Sequence, residues 1–294
     1  MNLFKKFLDY AKFSTGDFEK IFANVEMPPC PEVVATLMQK LSQPDIDIDQ
    51  IVPLLESDAS LAAQILKIAN SALYGLPGKV TSIAKAVSLL GLTEIRNIAV
   101  GYAMTKTVKD PAKEGFHIGQ YWSDSIFRAI FSKKTAEHLG VESDEAFSAA
   151  LLQDIAIPML MDKWFELYKD VFYAWLEDNR RLHEVENEIL SWNHAQAGAW
   201  ISKSWQLPDI FTCCIGLHIS SINDLKDLNL ADTVVAPVAL SNKLSVAFKD
   251  SVSSEEVERE AKSLGIESET LEELVNESTG MVSTIAGALG IKTS

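Results

Sequence analysis

The sequence has few cysteines, few cationic residues and no long apolar run. Its three cysteines, Cys30, Cys213 and Cys214, form no disulfide framework, because their number is odd and two are adjacent. Lysine and arginine number 26 against 41 aspartate and glutamate residues, which argues against a nucleic-acid partner, since phosphate affinity depends on clustered cations. No run approaches the roughly 20 apolar residues of a transmembrane segment. Because the N-terminal stretch "MNLFKKFLDYAKF" also lacks a cleavable signal pattern, we expect a cytoplasmic protein.

Apolar residues, by contrast, are abundant and recur at helical spacing. They make up 47% of the chain, enough for a sizeable core. Most periodic segments place them three and four positions apart, and several begin with a capping residue, such as Asp58 before "ASLAAQILKIANSALYG". No useful alternating strand pattern occurs. The sequence therefore predicts an all-α protein with two helical lobes.

Turn residues and changes of composition suggest the boundaries between segments. The stretch "KDPAKEGFHIG" contains proline and glycine and is typical of a hinge. Within the second lobe, one helix is expected over about 144–156. The last part of the chain is acidic, and its pattern predicts two short surface helices before a final apolar helix. The predicted segments are an amphipathic helix (1–24), a first lobe (25–108), a hinge (109–119), a second lobe (120–248) and acidic C-terminal helices (249–294). We expect the amphipathic helix to pack on the body of the protein; alternatively, it lies weakly on a membrane surface.

One carboxylate stands alone in an apolar stretch. In "LLQDIAIPML", Asp154 has apolar residues on both sides apart from Gln153. Burying an ionised carboxylate is costly unless a partner compensates for the lost water. The partner must be an arginine or lysine, a set of backbone N–H groups, or a metal ion. Its identity largely decides whether the protein is an enzyme.

Several stretches of the chain resemble a known family. The first lobe contains "MPPCPEVVATLMQKL", "LLESDASLAAQILKIANSALYG" and "SIAKAVSLLGLTEIRNIAV", and the second contains "YWSDSIFRAIFSKKTAEHLG", "SAALLQDIAIPML" and "HAQAGAWISKSWQLPDIFTCCIGLHI". Together they resemble the HDOD domain, a bacterial regulatory relative of the HD metal-dependent phosphohydrolases, over roughly residues 22–245. The resemblance implies that the second lobe is an HD-like, phosphodiesterase-like helical bundle.

The resemblance also implies positions for a metal site. Catalytic relatives hold one or two metal ions with a His, a His-Asp pair, further His residues and a final Asp, and the metal activates water for attack on phosphorus. In this sequence the corresponding positions are occupied, in that order, by Asp124, by Gln153 and Asp154, by His194 and His218, and by Asn242.

Two of these positions are degenerate. Gln153 is a neutral amide and a poor metal ligand, and Asn242 supplies no charge, so a two-metal centre is not expected. Two alternatives stay open for the candidate ligands that remain: a relic polar cluster without a cofactor, or a site that holds one divalent ion, Fe, Mn or Zn. Asp124 is a possible substitute ligand beside Asp154, His194 and His218.

The resemblance favours a bacterial signal-transduction module that is non-catalytic and acts through a signalling protein partner or a nucleotide-like ligand. The alternative is a metal-dependent phosphohydrolase acting on a nucleotide or cyclic dinucleotide. A partner surface is predicted in the first lobe, where Asn70 ends a helix, Tyr74 is an amphipathic aromatic residue, and Arg96 and Asn97 begin a nearby helix. In the competing interpretation, Asn70 only caps its helix and Tyr74 packs against the body.

Overall fold

The fold is described by a computed structural model that covers residues 29–41, 46–70, 78–249 and 251–293. Within these ranges every regular element is a helix and no strand occurs, which confirms the predicted all-α class. None of the described helices combines the length and apolar content needed to cross a bilayer. The helix predicted over 1–24 and Tyr74 lie outside the described residues.

The described part of the first lobe contains four helices. They are α1 (Glu32–Leu41), α2 (Ile48–Glu56), α3 (Ala59–Ala69) and α4 (Ile83–Thr107). Asp58 caps α3 as predicted, because its carboxylate accepts the N–H groups of Ser60 and Leu61. Gly91 kinks α4 with φ 82° and ψ 163°, so the two helices expected on either side of this glycine are joined in a bent α4.

The second lobe and the C-terminal segment supply the remaining helices. These are α5 (Ile118–Leu139), α6 (Ser143–Leu152), α7 (Ala156–Asp162), α8 (Phe165–Glu177), α9 (Leu182–Leu190), α10 (His194–Ser204), α11 (Asp209–Leu217), α12 (Ile222–Asp227), α13 (Val235–Asn242), α14 (Ser254–Ser263) and α15 (Ser268–Leu289).

Two helix predictions were wrong. The expected helix over about 144–156 ends at Leu152, and a turn over 153–155 precedes α7. All three turn residues are buried, as are residues 156–161 of α7, so the change of helix lies inside a fully buried stretch. The second surface helix and the final apolar helix form the single 22-residue α15, whose polar middle stays helical because it packs on α5 and buries Ser278.

The two lobes share one hydrophobic core. Its main cluster of buried side chains extends from Val34 in α1 to Leu289 in α15. Helix α15 contacts both α3 and α5, and Gln64 Nε2 donates to the carbonyl oxygen of Ala288 at 2.8 Å. The domain boundaries given above therefore stay predictions, since packing is continuous across them.

Candidate metal centre

The centre of the second lobe collects side chains from the interior of one helix, from the ends of others and from one turn. Helix α5 supplies Asp124 and Arg128, the turn after α6 supplies Gln153 and Asp154, α10 begins with His194, His218 follows α11, and α13 ends with Asn242. All of these residues are at most 5% exposed.

A close approach of α10 and α11 places the two histidines together. An added Cβ at Gly198 would lie 2.7 Å from Ile215 Cγ2, so only glycine permits this spacing without a shift. The start of α10 is also fixed, because Asn193 and Gln196 form a capping box around His194. The two helices thus hold His194 and His218 at a defined separation.

Three potential ligand atoms converge between Asp154, His194 and His218. The two Nε2 atoms are 3.2 Å apart, and Asp154 Oδ1 lies 3.0 Å from His218 Nε2 and 3.4 Å from His194 Nε2. Atoms that share a metal ion at about 2.1 Å lie about 3.0 to 3.4 Å from one another in octahedral or tetrahedral geometry. The spacing of this triad therefore fits one metal ion.

The outer nitrogens of both rings are held by acceptors. His194 Nδ1 lies 2.6 Å from Glu186 Oε2, and His218 Nδ1 lies 2.6 Å from the carbonyl oxygen of Ile215. The Nδ1 atoms must carry the protons, because a carboxylate and a carbonyl can only accept. Burial lowers the pKa of His218 and outweighs the nearby carboxylate of Asp154, which favours the neutral ring; with its proton on Nδ1, that ring has a lone pair on Nε2.

The chemistry of the donor set also fits a cation. None of the described donors reaches Asp154 Oδ1 in suitable geometry, although both imidazoles face it. One carboxylate oxygen and two ring nitrogens, all atoms of a type that binds metal ions, thus lie within 3.4 Å of one another. Glu186 supports this arrangement as an outer partner, since it also accepts the backbone N–H of His194 at 2.9 Å and the hydroxyl of Tyr168.

The other oxygen of Asp154 has a cationic partner within the chain. Arg128 is fully buried, and its Nη1 donates to Asp154 Oδ2 while its Nε lies 3.1 Å from Asp124 Oδ2. Burial alone would raise the pKa of Asp154, but the charge of Arg128 holds it well below its usual range. Burial likewise opposes the charge on Arg128, yet the two carboxylates keep its pKa above the ordinary value. A guanidinium therefore answers the question that the sequence raises about Asp154.

Asp124 is not part of the triad. Its oxygens accept the Ser245 hydroxyl at 2.7 Å and the Val246 N–H at 3.0 Å, beside Arg128. Burial raises the pKa of Asp124 despite this guanidinium. The structure thus brings Asp154, His194 and His218 together but leaves Asp124 with Arg128.

The two degenerate positions contact each other. Gln153 Nε2 donates to Asn242 Oδ1 at 3.3 Å, and the Ser241 hydroxyl donates to Gln153 Oε1 at 3.4 Å. We call Gln153 and Asn242 the amide pair. Both side chains are neutral and already hydrogen-bonded, so the amide pair is a poor set of ligands for a divalent ion.

Sequence reasoning missed two residues of this site. Arg128 stands in "SIFRAIF", a single cation among apolar residues, which is the same signal that drew attention to Asp154. Glu186 is one of three glutamates in the short helix α9. Its only sequence signal is that it follows Val185 on the face that also buries Leu182.

The predicted partner-surface residues have contacts within the chain. Asn70 closes the connection before α4, since its side chain donates to the Val80 carbonyl at 2.8 Å and accepts the Val80 N–H at 2.9 Å. Arg96 pairs with Glu145 at 3.2 Å. Asn97, which is 1% exposed, accepts the Ser148 hydroxyl at 2.7 Å. Arg96 and Asn97 therefore join α4 to α6, the helix that leads directly to Gln153 and Asp154.

Comparison with known proteins gives a family match and several shared folds. The model of the HDOD domain family matches residues 27–220. An HDOD domain protein of unknown function from Geobacter sulfurreducens has a TM-score of 0.73 and 24% identity, with 97% of both chains covered. A candidate phosphohydrolase from Shewanella amazonensis SB2B gives 0.69 and 21%, with 97% of this chain and 98% of the other covered. Identities this low show similarity of fold alone.

Two further relatives are longer than the matched region. A candidate signal transduction protein from Marinobacter aquaeolei VT8 has a TM-score of 0.69 and 22% identity, over 99% of this chain and 66% of the other. An uncharacterised protein from Treponema pallidum (strain Nichols) is 22% identical over 195 residues, which are 66% of this chain and 37% of that protein. The similarity thus spans little more than a third of the curated relative.

Proposed function

Because the chain belongs to the HDOD domain family, we propose that it is a non-catalytic module of bacterial signal transduction, acting through a protein partner or a nucleotide-like ligand. The closure of the triad carries this proposal. Asp154 is 1% exposed, and His194 and His218 are fully buried. Catalytic metal sites keep a position open for water or substrate, whereas structural sites are closed. A phosphate group could reach this triad only after the surrounding side chains moved.

The missing ligands support the same proposal. Two-metal hydrolases stabilise the attacking and the leaving oxygen with separate ions. Here Arg128 is bound to Asp154 Oδ2, and the amide pair stands at two of the remaining positions. One ion at most has ligands of suitable chemistry.

A resident ion in this module is structural. Asp154, His194 and His218 would hold a single Fe, Mn or Zn ion, with Glu186 orienting one ring. Such an ion, when bound, supplies Lewis acidity and positive charge. In a closed site its effect is to stabilise the junction of α10, α11 and the turn after α6.

Hydrolysis assays test the proposal directly. The full chain is incubated with Mn²⁺, Zn²⁺ or Fe²⁺ and with bis(p-nitrophenyl) phosphate, cyclic AMP or cyclic di-GMP. We expect no turnover above that of His218→Ala, and His138→Ala serves as a control because His138 is exposed. Metal-dependent turnover that persists in His138→Ala and disappears in His218→Ala would overturn the proposal.

The second candidate function is metal-dependent phosphohydrolysis. It is favoured by the three converging ligand atoms and by a similar fold in a protein named as a candidate metal-dependent phosphohydrolase from Shewanella amazonensis SB2B. This function requires an opening to the triad. The loop that bonds Asp124 is the nearest described candidate, since Val246 is 61% exposed while its N–H reaches the buried carboxylate. Positive turnover in the assay above would select this function.

A further inference from the structure

The two oxygens of the Asp154 carboxylate face different groups. Oδ1 faces the two imidazole Nε2 atoms, and Oδ2 accepts Arg128 Nη1. A carboxylate that bridges two cations uses its two oxygens in the same way. In this chain the position next to Oδ1 is surrounded by ligands for a metal ion, and the position next to Oδ2 contains the guanidinium of Arg128.

Arg128 is held at that place by several contacts. Its Nε lies 3.1 Å from Asp124 Oδ2 and donates to the Asp124 carbonyl oxygen at 3.4 Å, and its Nη2 donates to the Ser125 hydroxyl at 3.4 Å. Arginine cannot lose its proton in a protein. Its charge is therefore permanent, whereas a metal ion can be exchanged or chelated.

The other described side chains around Arg128 are the neutral amide pair and Asp124, whose oxygens already have partners. The amide pair bonds to itself, and Asp124 is satisfied by Ser245, Val246 and Arg128. We infer that the guanidinium of Arg128 takes the place of a second metal ion, so that the site accepts one divalent ion and excludes another. This inference rests on the single-ion site proposed above and concerns how that site is limited.

A set of combined variants distinguishes the effect of Arg128 on the number of bound ions from the effect of the missing ligands. Gln153→His with Asn242→Asp restores metal-binding side chains while Arg128 stays, and a triple variant adds Arg128→Met. The matched control adds Arg96→Met instead, which removes an arginine whose partner is Glu145. Metal per chain is measured by elemental analysis after incubation with Mn²⁺ or Zn²⁺ and desalting.

We expect one ion per chain in the double variant and in the Arg96 control, and two in the triple variant. A second ion in the double variant, with Arg128 present, would overturn the inference. So would a folded triple variant that binds only one ion. Turnover by the wild type would instead overturn the non-catalytic proposal and leave these counts as they are.

The melting temperatures of single Arg128 variants test the inference even if the triple variant folds poorly. Arg128→Met alone should lower the melting temperature in chelator by roughly 10 °C, since a buried ion pair is broken, and Mn²⁺ should raise it by more than in the wild type. Arg128→Lys keeps the charge, so its response to Mn²⁺ should resemble that of the wild type. Equal responses to Mn²⁺ in the wild type and Arg128→Met would show that Arg128 is not replaceable by an ion.

Discussion

The two sides of Asp154 differ in where their positive charge comes from. On one side are His194 and His218, with Glu186 behind, and we call this the imidazole half. The Nε2 atoms of its rings lie 3.0 and 3.4 Å from Asp154 Oδ1. This half contains ligands but no fixed cation, so any compensating charge must be a proton or a bound ion.

The opposite side, the guanidinium half, consists of Asp124, Arg128 and the amide pair. Its cation is part of the chain and is fully buried. The comparison shows that a metal site can lose ligands while its buried carboxylate keeps a positive partner, here Arg128. Charge balance is retained in this half, while the chemistry of an exchangeable ion is given up.

The largest expected effect breaks both halves at once. Asp154→Asn removes one of the two charge partners of Arg128 and one ligand of the triad. We expect the free energy of unfolding in chelator to fall by about 3–5 kcal/mol, because a buried guanidinium loses one of its carboxylates, and tight metal binding to disappear. Urea denaturation and metal titration measure the two effects. Asp162→Asn, which alters only the pair with Lys163 near the surface, should stay within about 0.5 kcal/mol of the wild type.

A second substitution weakens the imidazole half alone. Glu186→Gln retains the shape but removes the charge that orients His194 through Nδ1 at 2.6 Å. Metal affinity should fall by about 10–100-fold, as is usual for an outer partner of a ligand. Calorimetric titration with Zn²⁺ measures it, and Glu188→Gln on the same helix is the control because Glu188 pairs with Arg180. If both variants bind Zn²⁺ like the wild type, Glu186 does not support a metal ligand.

A third substitution is directed at the guanidinium half. Asn242→Ala leaves Gln153 Nε2 without its acceptor, so unfolding should become easier by about 1–3 kcal/mol. Metal affinity should stay that of the wild type, in contrast to Glu186→Gln. Asn223→Ala, at an exposed position of α12, should change neither quantity. A large loss of metal affinity in Asn242→Ala would mean that the two halves are not separate.

The smallest expected effect concerns how far the site is connected to the first lobe. Single and double alanine variants of Asn97 and Ser148 should give a coupling energy of about 1 kcal/mol, typical of one buried hydrogen bond. The same cycle on Arg96 and Glu145, a partly exposed ion pair, should give less than about 1 kcal/mol. Additive effects for Asn97 and Ser148 would indicate that α4 and α6 are joined by apolar packing alone.

The sequence predicts the helices better than their joints. The caps and glycines that end helices act locally, so Asp58 and Gly91 are recognisable without the fold. The break at residues 153–155 is different, because neither proline nor glycine marks it in the sequence and the stretch around it is buried on both sides. The length of α15 likewise depends on α5, against which its polar middle packs.

The sequence pattern predicts the ligands of the site but not its counter-ion, Arg128. Asp154, His194 and His218 follow from the family pattern, and the structure brings all three together. Arg128 lies outside that pattern, although burying a charge among apolar residues demands a partner by the same argument that applies to Asp154. Glu186 could not be chosen among the glutamates of α9, because only the tertiary packing of α9 against α10 distinguishes them.

The contact between Gln64 and Ala288 has a consequence for the order of folding. These residues are 224 positions apart, so α3 gains its partner on α15 only after α15 itself has been synthesised. Closing so long a loop is slow and costs entropy. Until then, the faces of α3 and α5 that α15 covers are exposed, and nascent chains would associate through these faces. Chaperone binding during synthesis is therefore expected to concentrate there and to end when α15 docks.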